Sequence, residues 1–166
     1  MSYFRPELST KGSYEGVARV SISMKSRYAV RALTELARRQ EAHPDKPVRL
    51  ADVAEMGEMP LQFLEQVFAT LRRAGVVRSR RGAAGGYTLA RPAGDITVLE
   101  VVAALDGALS PVECTHGLCD RAPDCGASSV WVEAEQALEQ VLGSTTIGDL
   151  LAREEALRGR APMYHI

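Results

Sequence analysis

The sequence predicts a mainly α protein with one small β-hairpin: a winged helix-turn-helix domain followed by a long helix. Three observations carry this. Apolar residues recur at three- and four-residue intervals from Tyr28 to Leu71, interrupted by Pro44, Pro47, Gly57 and Pro60. An arginine- and glycine-rich stretch, Arg80-Arg81-Gly82-Ala83-Ala84-Gly85-Gly86, separates two short β-rich segments. A second apolar stripe runs through Val130, Trp131, Ala134, Leu138, Val141 and Leu142.

Taken in order, Met1 to Val20 is polar, with Arg5, Glu7, Lys11 and Glu15 and no apolar core, so it reads as no secretory signal. Residues 1–22 are expected to be a flexible extension. From Ser23, the residues Tyr28, Ala29, Ala32, Leu33, Leu36 and Ala37 form one face of a helix ending near Gln40. Leu50, Val53 and Ala54 mark a short second helix stopped at Gly57. Pro60 suits the first position of a third helix, whose buried face is Leu61, Leu64, Val67, Phe68 and Leu71. Gly75 closes it as a left-handed cap. The turn Met56-Gly57-Glu58-Met59 is short enough to fix the two helices at a steep angle.

Val76-Val77-Arg78-Ser79 and Tyr87-Thr88-Leu89 then read as two strands. The glycines at their tip let the backbone approach a partner closely, and the arginines can carry charge to phosphates or into a groove. After the hairpin, Thr97-Val98-Leu99-Glu100 fits a capping box, and Val98, Val101, Val102 and Leu105 give the face of a connecting helix that Asp106-Gly107 ends. The long stripe spans Ser129 to Leu142 and either packs on its own domain or pairs with a twin. Thr146-Ile147-Gly148-Asp149 opens a last short helix. The expected division is 1–22 extension, 23–93 winged helix-turn-helix domain, 94–110 connecting helix, 111–127 cysteine loop, 128–156 dimerisation and C-terminal helices, and 157–166 tail.

Charge is divided along the chain. The net charge of −1 conceals an excess of Lys and Arg in residues 24–93 and of Asp and Glu in residues 94–166. A basic module joined to an acidic one points to nucleic acid as the partner of the first half alone. No apolar run approaches the roughly 20 residues a membrane-spanning helix needs, so a cytoplasmic location and reduced thiols are expected. No catalytic constellation is present: His43 lies in a proline-flanked loop, His165 is penultimate, and no nucleophile elbow or phosphate loop occurs.

All three cysteines, Cys114, Cys119 and Cys125, lie in one stretch, with gaps of four and then five residues. Gly117 and Pro123 break any helix there. Three thiolates on a short loop can converge on a soft metal centre or cluster, with a fourth ligand from elsewhere. The plainer alternative is a set of surface thiols with one transient disulfide.

The residues Ser26-Arg27-Tyr28-Ala29-Val30, Leu64-Glu65-Gln66, Arg81-Gly82 with Gly85-Gly86-Tyr87-Thr88-Leu89, and the three cysteines resemble the Rrf-type family of bacterial winged-helix regulators. The likeness runs from about Ser23 to Glu155. The nearest branch is the iron–sulfur cluster regulators, with the nitric-oxide-sensing repressor as a sibling. The resemblance implies a homodimer on a double-stranded, near-palindromic DNA operator, away from any membrane. It implies a third helix in the major groove, with Gln62 and Glu65 at base-reading positions, and a wing in the minor groove carrying Arg81, Gly82 and Tyr87. Arg72, Arg73, Arg78 and Arg80 are expected phosphate contacts or solvated charges.

The resemblance further implies that Cys114, Cys119 and Cys125 hold an iron–sulfur cluster, in two-iron or four-iron form. The family pattern has five residues in each gap; here the first has four. The histidine that completes one branch's ligand set is replaced by Ser128, and the acidic residue of the other by Arg27. His116 is the first candidate for the fourth ligand, with Glu113, Asp120, Asp124 or a partner residue as alternatives. Trp131, Leu138 and Leu142 are expected in the subunit interface. Two rivals stand beside this reading: a cluster-free thiol-based or effector-binding regulator of the same fold, and a small electron-transfer protein whose DNA affinity would lack salt dependence.

Overall fold

The computed structural model describes residues 22–44, 46–82, 85–107, 109 and 124–159. Helix α1 spans Met24–Ala42, α2 Leu50–Met56 and α3 Leu61–Arg73; strands β1 Val77–Arg80 and β2 Gly86–Leu89 form an antiparallel hairpin. Helices α4 (Val98–Asp106), α5 (Gly126–Gly143) and α6 (Ile147–Gly159) follow. The mainly helical architecture with one hairpin is the expected one, and its differences from expectation are local.

Helix α1 starts where Ser23 Oγ accepts from the Ser26 amide at 3.2 Å, and it runs two residues past Gln40. Pro60 stands one position earlier than expected, at the N-cap with extended backbone (ψ 122°), because it has no amide to lose there and its carbonyl accepts from Leu64 at 3.1 Å. Gly75 has φ +74°, the left-handed cap that was expected. The first strand is displaced by one residue and the second starts one residue earlier, at Gly86; Val76 is fully buried, and its carbonyl accepts from Ala90 at 2.9 Å.

One core unites these elements. Leu33 and Leu36 of α1 and Leu64, Phe68 and Leu71 of α3 are fully buried with Val76, Ile96 and Val101. Deleting a ring such as that of Phe68 from so closed a site would cost about 3–5 kcal/mol. The last helix is longer than expected, with 13 residues, and it returns to this core through Ile147 and Leu151. Thr146 and Asp149 form its capping box: the Thr146 amide donates to the Asp149 carboxylate at 2.9 Å, and the Asp149 amide donates to Thr146 Oγ1 at 3.0 Å. The earlier box is only half made. Thr97 Oγ1 accepts from the Glu100 amide at 3.2 Å, but the Glu100 carboxylate turns to Arg91, since a full cation offers it more than the Thr97 amide.

Asp106 does more than end α4. Its carboxylate accepts from the Ser23 amide at 3.0 Å, from the Ser23 hydroxyl, and from Ser26 Oγ at 2.8 Å, joining the end of α4 to the start of α1. Partial burial pushes the Asp106 pKa up, but the Ser23 and Ser26 hydrogen bonds and the charge of Lys25 outweigh it, leaving it below the ordinary aspartate range. A carboxylate whose folded pKa is lowered adds stability above its unfolded pKa and loses it as pH falls through the folded value. Asp106→Asn should therefore lower the melting temperature at pH 6, and the gap from the parent should begin to narrow once pH falls below the ordinary aspartate pKa of about 3.9. Melting curves between pH 6 and pH 3 check this; parallel curves would remove Asp106 from the acid limb.

Candidate nucleic-acid interface and cysteine segment

The turn between α2 and α3 is held from two sides. The buried Met59 donates its amide to the Ala54 carbonyl at 2.9 Å, and Arg31 of α1 donates to the Gly57 carbonyl at 3.0 Å. Glu58, not Gly57, takes the left-handed backbone here, at φ +51°. With this turn fixed and Leu64, Val67, Phe68 and Leu71 buried, the other face of α3 turns outward. Gln62, Glu65, Arg72 and Arg73 are all exposed on it. Gln66 is exposed too, one turn beyond Gln62 and two before Arg73, on a face that the periodicity alone could have picked out.

The wing continues this surface. Arg72 donates to Ser79 Oγ at 3.3 Å, tying the end of α3 to β1. Arg78, Ser79, Arg80, Arg81 and Gly82 are exposed, and Arg78, Arg80 and Arg81 make no ion pair among the described residues. Ala83 and Ala84 at the tip lie outside the described residues. Tyr87 has a different duty from the arginines. Its ring packs edge-on against Phe68 with centroids 5.0 Å apart, and its backbone exchanges bonds of 2.8 and 2.9 Å with Val48. It anchors the wing to the core through half-buried contacts.

A basic helix face flanked by an unpaired arginine ribbon can do two things to a duplex. Glutamine and glutamate at a helix start can read base edges, while arginines without internal partners neutralise phosphates or enter a narrow groove.

In the cysteine segment, Glu113, Cys114, His116, Cys119 and Asp120 lie outside the described residues. Asp124 and Cys125 are exposed, and Cys125 stands at the N-cap of α5 with a free thiol. Ser128 donates its hydroxyl to the Cys125 carbonyl at 2.7 Å, at the start of α5. Arg27 is exposed, with Met24 Sδ 3.5 Å from its guanidinium. Among the described residues no three His, Cys, Asp or Glu side chains form a metal-binding group. The donor set of three cysteines fits a soft centre by its chemistry, and the exposed Cys125 thiol is accessible to one.

Helix α5 has no buried residue. Trp131 is 41% exposed and Val141 61%, while Leu138 and Leu142 are half-buried. Its main neighbour among the described elements is α4, so the described residues leave most of the apolar stripe uncovered.

Residues 22–153 match a protein-family model described as Rrf2, iron-dependent transcriptional regulator. The chain is 37% identical over 137 residues to the HTH-type transcriptional regulator IscR of Citrobacter koseri, covering 82% of each. Its fold superposes on the T. potens IscR structure with a TM-score of 0.65 and 34% identity, covering 87% of this chain and 96% of that one. The structure of CymR (YrzC), the global cysteine regulator of B. subtilis, gives a TM-score of 0.68 at 36% identity, covering 80% and 97%.

Proposed function

The chain belongs to the Rrf2 family of transcriptional regulators, and from that premise we propose a homodimeric DNA-binding regulator whose three-cysteine segment reports iron–sulfur cluster status, redox state or nitric oxide. The observation that carries the DNA-binding half is the continuous outward surface of α3 and the wing, where Arg78, Arg80 and Arg81 are exposed and make no ion pair among the described residues. In this reading Gln62 and Glu65 read bases from the major groove, Gln66 extends their row, and Arg81 enters the minor groove beside Gly82. Arg72, Arg73, Arg78 and Arg80 hold the phosphates. Glu65 acts through selectivity: a carboxylate accepts from cytosine and is repelled by phosphates, so it favours the right site by weakening the wrong ones. Arg81→Ala should weaken operator binding by about 1–3 kcal/mol. Gel-shift titration at fixed salt measures this, and an unchanged affinity would remove Arg81 from base or groove contact.

For the sensing half, Cys114, Cys119 and Cys125 would hold the cluster, with His116, Glu113, Asp120, Asp124 or a partner residue as fourth ligand. When bound, such a cluster supplies a centre whose integrity depends on iron, oxygen and nitric oxide. The chain's own part is to place Cys125 at the entry to α5, so that a change in the loop acts on the end of a helix that faces a second subunit. That provides the differential free energy a switch needs. Anaerobically purified protein should be brown, and Cys125→Ser should abolish or destabilise the chromophore. Colourless protein after anaerobic reconstitution, with three titratable thiols and intact operator binding, would leave the regulator and remove the cluster. The likeness to a structure named as a global cysteine regulator favours that second reading, a thiol-based or effector-binding regulator of the same fold.

A further inference from the structure

A cavity of about 410 Å³ is lined by residues outside α3 and the wing. It is formed by the C-terminal half of α1, the connector after it and α2. Its volume is at the small end of the range for small-molecule sites.

Among the described residues, the ion pairs around it leave Lys46 unmatched. Glu35, only 7% exposed, is held by Arg38 and by Arg39 Nε at 3.2 Å. Asp52 is neutralised by Arg49 at 2.9 Å. Both acids of the lining are thus committed, whereas the Lys46 ammonium and the His43 imidazole, which also line it, make no side-chain hydrogen bond or ion pair among the described residues. Arg38 Nε–H is moreover a buried donor without an acceptor among the described residues. Arg38 and Arg39 are matched by Glu35 and by Glu154, which also binds Arg38. The negative end of the α1 dipole lies close by, but it amounts to about half a charge, less than the full charge of Lys46. Ala42, Pro47, Val48 and Met56 supply an apolar wall.

The cavity also touches the two elements that set the reading surface. Val48 pairs through its backbone with Tyr87 of the wing, at 2.8 and 2.9 Å. Met56 is the last residue of α2, directly before the turn into α3.

We propose that this cavity binds a small organic carboxylate with an apolar body, held by Lys46, His43 and Arg39 against Val48 and Met56, and that its occupancy shifts the wing and hence operator affinity. The regulatory half rests on the DNA-binding reading; the ligand site does not.

The test is an amide-resolved NMR titration of the full chain with sodium benzoate, sodium acetate and sodium phosphate at constant ionic strength. Saturable shifts are expected at Lys46, Val48 and the α2 amides, with benzoate at least fivefold tighter than acetate or phosphate. The double variant Lys46→Ala/His43→Ala removes two side chains that make no ion pair among the described residues, and should weaken benzoate at least tenfold. Saturating benzoate should change operator affinity at least threefold. Non-saturating shifts, equal affinity for phosphate and benzoate, or a double variant that binds like the parent would each overturn the site. Saturable benzoate binding with unaltered operator affinity would overturn its regulatory half, whereas loss of all specific DNA binding alongside saturable benzoate would fall on the regulator reading instead.

Discussion

Gly86→Ala is expected to destabilise the protein by roughly 2–4 kcal/mol, the sum of backbone strain and disrupted buried hydrogen bonds. Gly86 pairs with Arg80 in the hairpin and has φ +155°. A Cβ there would overlap the Val48 carbonyl. That carbonyl accepts from the Tyr87 amide, and the Val48 amide donates back to Tyr87, so the overlap falls on the pair of bonds that holds the wing to the connector. The Phe68–Tyr87 ring contact shares the same anchorage. The melting temperature should fall by about 10 °C, and operator binding should weaken even at temperatures where the variant is folded. Gly82→Ala is the control. Gly82 is also left-handed, at φ +105°, but nothing lies within 4 Å of a Cβ built on it, so only strain of about 1 kcal/mol is incurred. Equal melting temperatures for the two variants would show that close approach to Val48 is not what Gly86 provides.

Trp131→Glu is expected to turn a dimer into a monomer or an aggregate. An indole at the centre of an interface is worth about 2 kcal/mol or more, roughly a 30-fold change in dissociation constant, before the cost of burying a carboxylate is added. Trp131 and Val141 are exposed on their own chain, and α5 contributes no buried residue. The substitution should therefore leave the circular dichroism and melting of the winged-helix core almost unchanged while altering the mass found by light scattering. A parent protein that is monomeric at micromolar concentration would contradict the dimer, and a Trp131→Glu variant that stays dimeric would move the interface off this face.

The same residues show how far the chain can be read without coordinates. The three- and four-residue spacing from Tyr28 to Leu71 specifies the buried faces of α1, α2 and α3, because a helix with one apolar stripe has one way to satisfy it. Leu61, expected on the buried face of α3, is instead 39% exposed at the first position of that helix, where the chain has only just left the turn. The glycine-rich tip with its arginines specifies the hairpin and its charge, and the clustering of three cysteines marks a possible soft centre. Boundaries moved by one or two residues where a cap competed with the periodicity, as at Pro60 and His43.

By itself, then, the sequence determined the element types, the core faces, the basic surface and the family, since these rest on local periodicity, turn chemistry and motif spacing. Tertiary structure decided what depends on residues far apart in the chain. It brought Asp106 to Ser23 and Ser26, Val48 to Tyr87, and Ile147 and Leu151 to α1, pairings that no local pattern announces. It also placed Tyr87 on Phe68, and among the described residues it left most of the α5 stripe without a cover. Hydrogen bonds and apolar contacts between distant segments depend on how helices cross and loops close, and many sequences with the same local periodicity could close them differently.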